Sequence, residues 1–212
     1  MAGWFGKPLI PFLKATQVSA TAEEANVLVS QLTKSQRSGD RIAAAALLQT
    51  YVNVSYDTSY YQIPYPNGDL VPSKGKAEDV VIRAFRRMEL DLQQLVHEDM
   101  SGNFRLYPQL WGASTTDTNI DHRRVANLQR FFERNGETLT TSHDAAEYLP
   151  GDVVVWSLAN GEPHIGIVVP SPEYQAGEAW IVHHDGSAVK WENVLFDHKI
   201  QGHFRFPGAA EK

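Results

Sequence analysis

The sequence predicts an α+β fold, in which helices come first and an antiparallel sheet follows. Before Pro150, apolar residues recur at the three- and four-residue spacing of amphipathic helices. After Pro150, short runs rich in valine, isoleucine and aromatic residues are separated by glycine, proline and asparagine, which is typical of antiparallel strands. Helices followed by strands, rather than regular alternation of the two, is the order of an α+β protein.

Five segments carry the helical pattern. The first begins at Thr21, a capping residue with acids in the next turn, and the second is an alanine-rich stretch whose small side chains imply close packing. The third has an apolar face opposite three arginines, and the fifth ends at Gly136, a C-terminal capping residue. The predicted helices cover residues 21 to about 36, 38–52, 77–88, 91–100 and 121–136.

The remaining segments predict a loop and four strands. The loop lies between the second and third helices and combines asparagine, aspartate, proline and glycine with a group of tyrosines. These tyrosines are Tyr51, Tyr56, Tyr60, Tyr61 and Tyr65. The four strands cover residues 152–156, 164–169, 179–184 and 202–206.

Composition excludes several classes of protein. The 212 residues suffice for one good-sized core, and 42% apolar with 21% charged residues is ordinary for a globular chain. A net charge of −6 argues against a protein that grips nucleic acid phosphates. No apolar run reaches 18 residues, so no membrane span is predicted. There is no cysteine, which excludes disulfides and thiolate metal sites.

The first 15 residues are apolar but have no basic start and contain two prolines, so they do not match a secretory signal. This pattern predicts either a trimmed, mature start or export by a route that needs no signal peptide.

Three histidines near strand ends are the first candidates for chemistry. His164 begins one predicted strand, and His183 and His184 end the next. Because successive strand residues point to opposite faces, only one of these two shares a face with His164. A histidine pair across neighbouring strands suits a base and the group that orients it. Half-buried histidines without a chemical role are the alternative.

A metal site is the next possibility, since the chain has eight histidines, including His97, His122, His198 and His203. None of them forms a His-x-x-x-His pair or another tight ligand spacing. We therefore predict neither a metal nor a cofactor, and keep a zinc-dependent hydrolase as an alternative.

Three strings after Pro150 resemble the sheet of the NlpC-type papain-like cysteine peptidases: "PGDVVVW", "HIGIVV" and "WIVHHDG". This resemblance implies a papain-like (NlpC-type) α+β fold with N-terminal helices and a central antiparallel sheet. It also implies that His164 is the catalytic base and that His183 orients it. The implied domains are an N-terminal helical extension (1–38), a papain-like hydrolase domain (39–207) and a tail (208–212).

Six strings in order resemble, more closely, a family of bacterial exported proteins within or near that superfamily, from about Asp40 to Phe206: "YPNGD", "GKAEDVVIRAF", "DLQQLVHEDM", "NIDHRRVANLQRFF", "PGD" and "HIGIV". In that family the third helix is expected to open with Gly-x-Cys-x-Asp-Val. Here the nucleophile position holds Ala77. A thiol in the first turn of a helix has a lowered pKa, because unpaired N–H groups and the helix dipole favour the thiolate, and an alanine methyl group cannot attack a carbonyl.

The alanine has two explanations. One is deliberate replacement of a single functional cysteine, which we favour because the chain has no other and the histidines remain; the other is a natural pseudoenzyme that kept its pocket for binding.

The resemblance also suggests substrate contacts for Tyr65, and the residue chemistry suggests them for Asp79 and Arg123, which suit an amine and a carboxylate. The alternatives are loop packing for Tyr65, dipole compensation for Asp79 and a capped, solvated helix face for Arg123.

The resemblance implies hydrolysis of an amide bond in the stem peptide of peptidoglycan by a periplasmic or secreted protein. A secreted antibacterial effector is our hypothesis for its role, with an inhibitory or immunity protein as a second partner. The alternative is a non-catalytic module that binds wall peptide or a protein.

Overall fold

The computed structural model describes residues 22–173 and 177–207. The predicted helix start at Thr21, most of the N-terminal extension and the tail therefore lie outside the described residues. The mixed helix-and-sheet fold class is confirmed. Five α-helices are described: α1 (Ala22–Leu32), α2 (Ser38–Leu47), α3 (Ala77–Arg86), α4 (Leu92–Asn103) and α5 (Val125–Asn135).

Eight strands follow the numbering β1 (Ser55–Tyr56), β2 (Lys74–Gly75), β3 (Glu137–Thr138), β4 (Val153–Ser157), β5 (Pro163–Val169), β6 (Trp180–His184), β7 (Val189–Glu192) and β8 (Lys199–Arg205). The first two form a small parallel pair. The other six form one antiparallel sheet in the order β3-β8-β4-β5-β6-β7. No helix in the described ranges is long and apolar enough to cross a membrane.

Several predicted boundaries need correction. The second predicted helix ends at Leu47 and continues as a 3-10 turn, and the fifth begins at Val125 after a separate 3-10 turn at Asp121–Arg123. Four strands were not predicted. Three of them have only two residues, and in the fourth, β7, Lys190 and Glu192 interrupt the apolar pattern.

The sheet has two different faces because side chains alternate along each strand. On one face, strand residues join helix residues in the main core, which we call the helix-side cluster. Its strand members include Val153, Val155, Ile165, Ile167 and Val182, and its helix members include Leu28, Ile42, Ala77, Val81, Phe85 and Phe132. On the opposite face, loop residues cover a smaller cluster that includes Val154, Trp156, Val168, Ile181 and Leu195.

The "PGD" string joins α2 to the sheet. Gly151 has φ +91°, and its backbone touches that of Gly39 at the start of α2, so a side chain at either position would clash. Asp152 is buried and accepts hydrogen bonds from the Leu149 amide (2.8 Å) and from both Nε (2.8 Å) and Nη2 (2.7 Å) of Arg205. This part of the resemblance therefore has a structural explanation that does not depend on catalysis.

Candidate functional site

A chain of three side chains crosses the neighbouring strands β5, β6 and β7, the last of which forms one edge of the sheet. The Nε2 of His164 lies 2.8 Å from the Nδ1 of His183, and the Nε2 of His183 lies 3.3 Å from Oε2 of Glu192. All three belong to the face opposite the helices, because they alternate with helix-side residues in register. They line a pocket of about 220 Å³ whose other walls include Trp156, Ile181, Lys190 and His198.

The hydrogen bonds determine the tautomers of this chain. A carboxylate only accepts, so the Nε2 of His183 carries a proton and donates it to Glu192. In neutral His183 the Nδ1 then has a lone pair and accepts from the Nε2–H of His164. The remaining Nδ1 of His164 carries a lone pair, and no residue in the described part of the chain hydrogen-bonds it. The arrangement therefore presents a free base at the start of β5.

The protonation state of His164 agrees with this tautomer. Burial lowers its pKa to about 4, and the positive charges that His183 and His198 carry when protonated add to the effect. His164 is consequently neutral at pH 7 and able to accept a proton.

His184, the neighbour of His183, lies on the other face of the sheet. Its Nδ1 accepts from the Gly186 amide (3.1 Å), so its Nε2–H donates to the carbonyl of Val54 (2.9 Å). Both ring nitrogens are therefore occupied by backbone groups. The expectation that only one of the two histidines accompanies His164 is confirmed, and that residue is His183.

Ala77 is the first residue of α3 and packs in the helix-side cluster. The N terminus of α3 is held by Asp79, whose Oδ2 accepts from the Lys76 amide at 2.8 Å. Glu78 is buried against Lys76, with 2.7 Å between Oε1 and Nζ, and burial raises its pKa. The first turn of α3 thus combines backbone N–H groups with a buried carboxylate.

Tyr56 lies between the start of α3 and the end of β6. Its ring lies 5.3 Å from that of His184, its Cα is paired with Gly75, and its pKa is raised by burial and then by the charges of Glu78 and Glu162. Glu162 directly precedes β5. The start of α3 and the start of β5 therefore lie at the same end of the sheet. The imidazole of His164 is on the opposite face of the sheet from the helix-side cluster that contains Ala77.

Asp79 and Arg123 form an ion pair with each other. Arg123 donates from Nε to Oδ1 (2.8 Å) and from Nη2 to Oδ2 (3.0 Å), and the two residues are only 2% and 1% exposed. Arg123 also points towards the carbonyls of Asp57 and Ser59. The structure thus gives both residues a role different from the predicted substrate contact, because their charged groups are buried and already paired. They join α3 to residues 51–65, which we call the tyrosine-rich segment.

Tyr65 is exposed and precedes Pro66 through a cis peptide bond. Its ring packs edge-on against His97 of α4, with centroids 5.2 Å apart. The neighbouring backbone is also bound to α4, since Gln93 donates to the carbonyl of Pro64. These contacts attach Tyr65 to α4, and its predicted contact with substrate stays a prediction.

No group of three histidine, aspartate or glutamate side chains suited to a metal ion occurs among the described residues.

Two residues of this site were not identified from the sequence. Glu192 lies in a strand that was not predicted, although the alternation of Lys190 and Glu192 with Val189 and Trp191 was a usable signal. Tyr56 was grouped with the loop tyrosines, and nothing in its spacing distinguishes it from them.

Acid is expected to destabilise this protein through a second buried histidine, His122. Burial lowers its pKa to about 4, with opposing effects of Asp79 (raising) and Arg123 (lowering). An unfolded histidine titrates near 6.5, so the unfolded state binds the proton first. The contribution of neutral His122 to the free energy of unfolding is therefore fully present above about pH 6.5 and is lost as the pH falls towards 4. Between pH 7.5 and pH 5 this loss lowers the free energy of unfolding by roughly 2 kcal/mol.

Urea unfolding at several pH values measures this effect. We expect the free energy of unfolding to fall more gently with pH in His122→Gln than in the parent, and His143→Gln, at an exposed position, is the matched control. An unchanged slope in His122→Gln would contradict the assignment.

Comparisons with known proteins find one family model and one relative. A family model described as "Domain of unknown function (DUF1287)" matches residues 43–206. The chain is 44% identical over 165 residues to "Uncharacterized protein YijF" of Escherichia coli (strain K12), which covers 78% of this chain and 80% of that protein. No solved structure matches.

Proposed function

The chain belongs to the DUF1287 family, and we propose that, with a cysteine in place of Ala77, it hydrolyses an amide bond in the stem peptide of bacterial peptidoglycan. The observation that carries the proposal is the ordered chain from Glu192 through His183 to His164. It leaves one neutral nitrogen lone pair at the end of the sheet where α3 begins. We extend the proposal to a papain-like fold and to a periplasmic or secreted location.

We propose the following reaction. His164 takes the thiol proton at Nδ1, and the thiolate attacks the amide carbon to form a carbon–sulfur bond. Backbone N–H groups in the first turn of α3 stabilise the oxyanion. His164 then donates its proton to the leaving amine as the carbon–nitrogen bond breaks. Water, deprotonated by His164, attacks the acyl-enzyme and releases the acid and the thiol.

The test is the Ala77→Cys protein incubated with intact sacculi, with the released fragments analysed by mass spectrometry. We expect new amine and carboxyl ends within the stem peptide. Ala77→Ser is the matched control, because it adds a side-chain oxygen of similar size without a thiolate, and is expected to release far less. Sacculi left intact by a folded Ala77→Cys protein would contradict the hydrolase proposal.

A non-catalytic binding module is the second candidate, and the alanine at position 77 favours it. This candidate predicts that the parent and the Ala77→Cys proteins sediment equally with sacculi while neither releases fragments. Release by Ala77→Cys contradicts it.

A further inference from the structure

A second cleft lies beside the tyrosine-rich segment, away from the histidine pair. It measures about 530 Å³ and is lined by the loop 111–119 together with Tyr60, Asp121 and Arg124. We call it the Trp111 cleft. Its walls combine two large aromatic side chains with serine and threonine hydroxyls and aspartate carboxylates.

Trp111 is presented to solvent by its backbone. The residue has φ +61° and is followed by Gly112 at φ +64°; a bulky residue rarely adopts this left-handed conformation. The side chain is 54% exposed, although tryptophan is usually among the more buried residues. The guanidinium carbon of Arg124 lies 4.1 Å from the ring centroid and covers one face, leaving the remaining ring surface exposed.

Tyr60 is a second aromatic side chain in the cleft and is also fixed in place. It is 55% exposed, and its hydroxyl donates to Oδ2 of Asp117 (3.0 Å) and accepts from Nδ2 of Asn119 (3.0 Å). Asn119 in turn accepts from the Ile63 amide at 2.9 Å. An exposed tyrosine with two side-chain partners loses little freedom on binding, so the cleft is organised before a ligand arrives.

The ligand chemistry follows from these walls. A pyranose ring has an apolar face of C–H groups and a rim of hydroxyls, which matches an aromatic surface surrounded by acceptors and hydroxyls. A phosphate ligand is disfavoured, because Arg124, the only cationic side chain among the residues lining the cleft, is paired with Asp121, and Asp117 adds a second carboxylate to the lining. We propose that the Trp111 cleft binds a β-1,4-linked chain of N-acetylated amino sugars. The choice of this sugar rests on the proposed function, since such a chain is the glycan strand that carries stem peptides.

The test titrates the parent protein with the β-1,4-linked tetramer of N-acetylglucosamine in a calorimeter. We expect saturable binding, weakened at least about ten-fold by Trp111→Ala and also weakened by Tyr60→Ala. Tyr51→Ala removes an exposed tyrosine outside the cleft and is expected to bind like the parent. Urea unfolding of each variant verifies that the fold is retained.

Two outcomes contradict the proposal that the Trp111 cleft binds this sugar. One is no saturable binding by the parent, and the other is equal dissociation constants for the parent and Trp111→Ala. Both are separate from failure of the hydrolase. Tetramer binding by a protein whose Ala77→Cys form leaves sacculi intact contradicts only the proposed function. Release of peptide fragments by a protein that does not bind the tetramer contradicts only the sugar cleft.

Discussion

Replacing Arg123 with alanine is expected to lower the free energy of unfolding by about 3–5 kcal/mol. The substitution leaves the Asp79 carboxylate, only 2% exposed, without its bidentate partner. It also removes the guanidinium that points towards the carbonyls of Asp57 and Ser59. Because the pair connects the start of α3 to the tyrosine-rich segment, the loss extends to the end of the sheet where the candidate site lies.

Urea unfolding with a matched control measures this loss. Arg130→Ala removes an arginine paired with Glu133 on α5, where the two side chains are 42% and 30% exposed, and is expected to cost less than about 1 kcal/mol. A double substitution, Asp79→Leu with Arg123→Leu, is expected to recover part of the stability, since it leaves no buried charge unpaired. An Arg123→Ala protein as stable as Arg130→Ala would show that the pair is not buried as described.

Features that depend on local sequence were predictable. The amphipathic pattern that starts at Ala77 identified α3, and runs of valine and isoleucine identified β4, β5 and β6. Alternation along a strand also predicted that only one of His183 and His184 would lie on the same face of the sheet as His164. Selecting His183 required the resemblance, because the register between β5 and β6 depends on hydrogen bonds that single-strand patterns do not encode.

Features that depend on distant contacts were not predictable. Asp79 and Arg123 are 44 positions apart. In the sequence each resembles a solvent-exposed charge that is available to a ligand, and only the fold shows that they pair with each other. Glu192 was missed because its strand has only four residues, which leaves a very short stretch in which to recognise the alternation of charged and apolar side chains. A partner for a buried charge is specified by tertiary packing, whereas helices and strands are specified mainly by the periodicity of their own residues.

Replacing His164 with alanine in the Ala77→Cys protein is expected to reduce the rate of amide hydrolysis by about 10²–10⁴-fold, because the thiol then has no base and the leaving amine no acid. Glu192→Gln in the same background tests the orienting chain. An amide also donates hydrogen bonds, so it no longer restricts the tautomer of His183, and we expect an intermediate loss. His143→Ala, a histidine exposed on another part of the surface, is the matched control and is expected to retain full activity.

A titration by NMR distinguishes catalysis by His164 from a purely structural role. In the Ala77 protein burial keeps the pKa of His164 at about 4. A thiolate at position 77 stabilises the imidazolium, so Ala77→Cys is expected to raise that pKa. Any such rise requires that the side chain at position 77 reaches past the end of the sheet to the face that carries His164. An unchanged pKa in a folded Ala77→Cys protein would mean that the thiol and the imidazole remain on separate faces, and it would contradict the cysteine mechanism even if the protein still bound peptidoglycan.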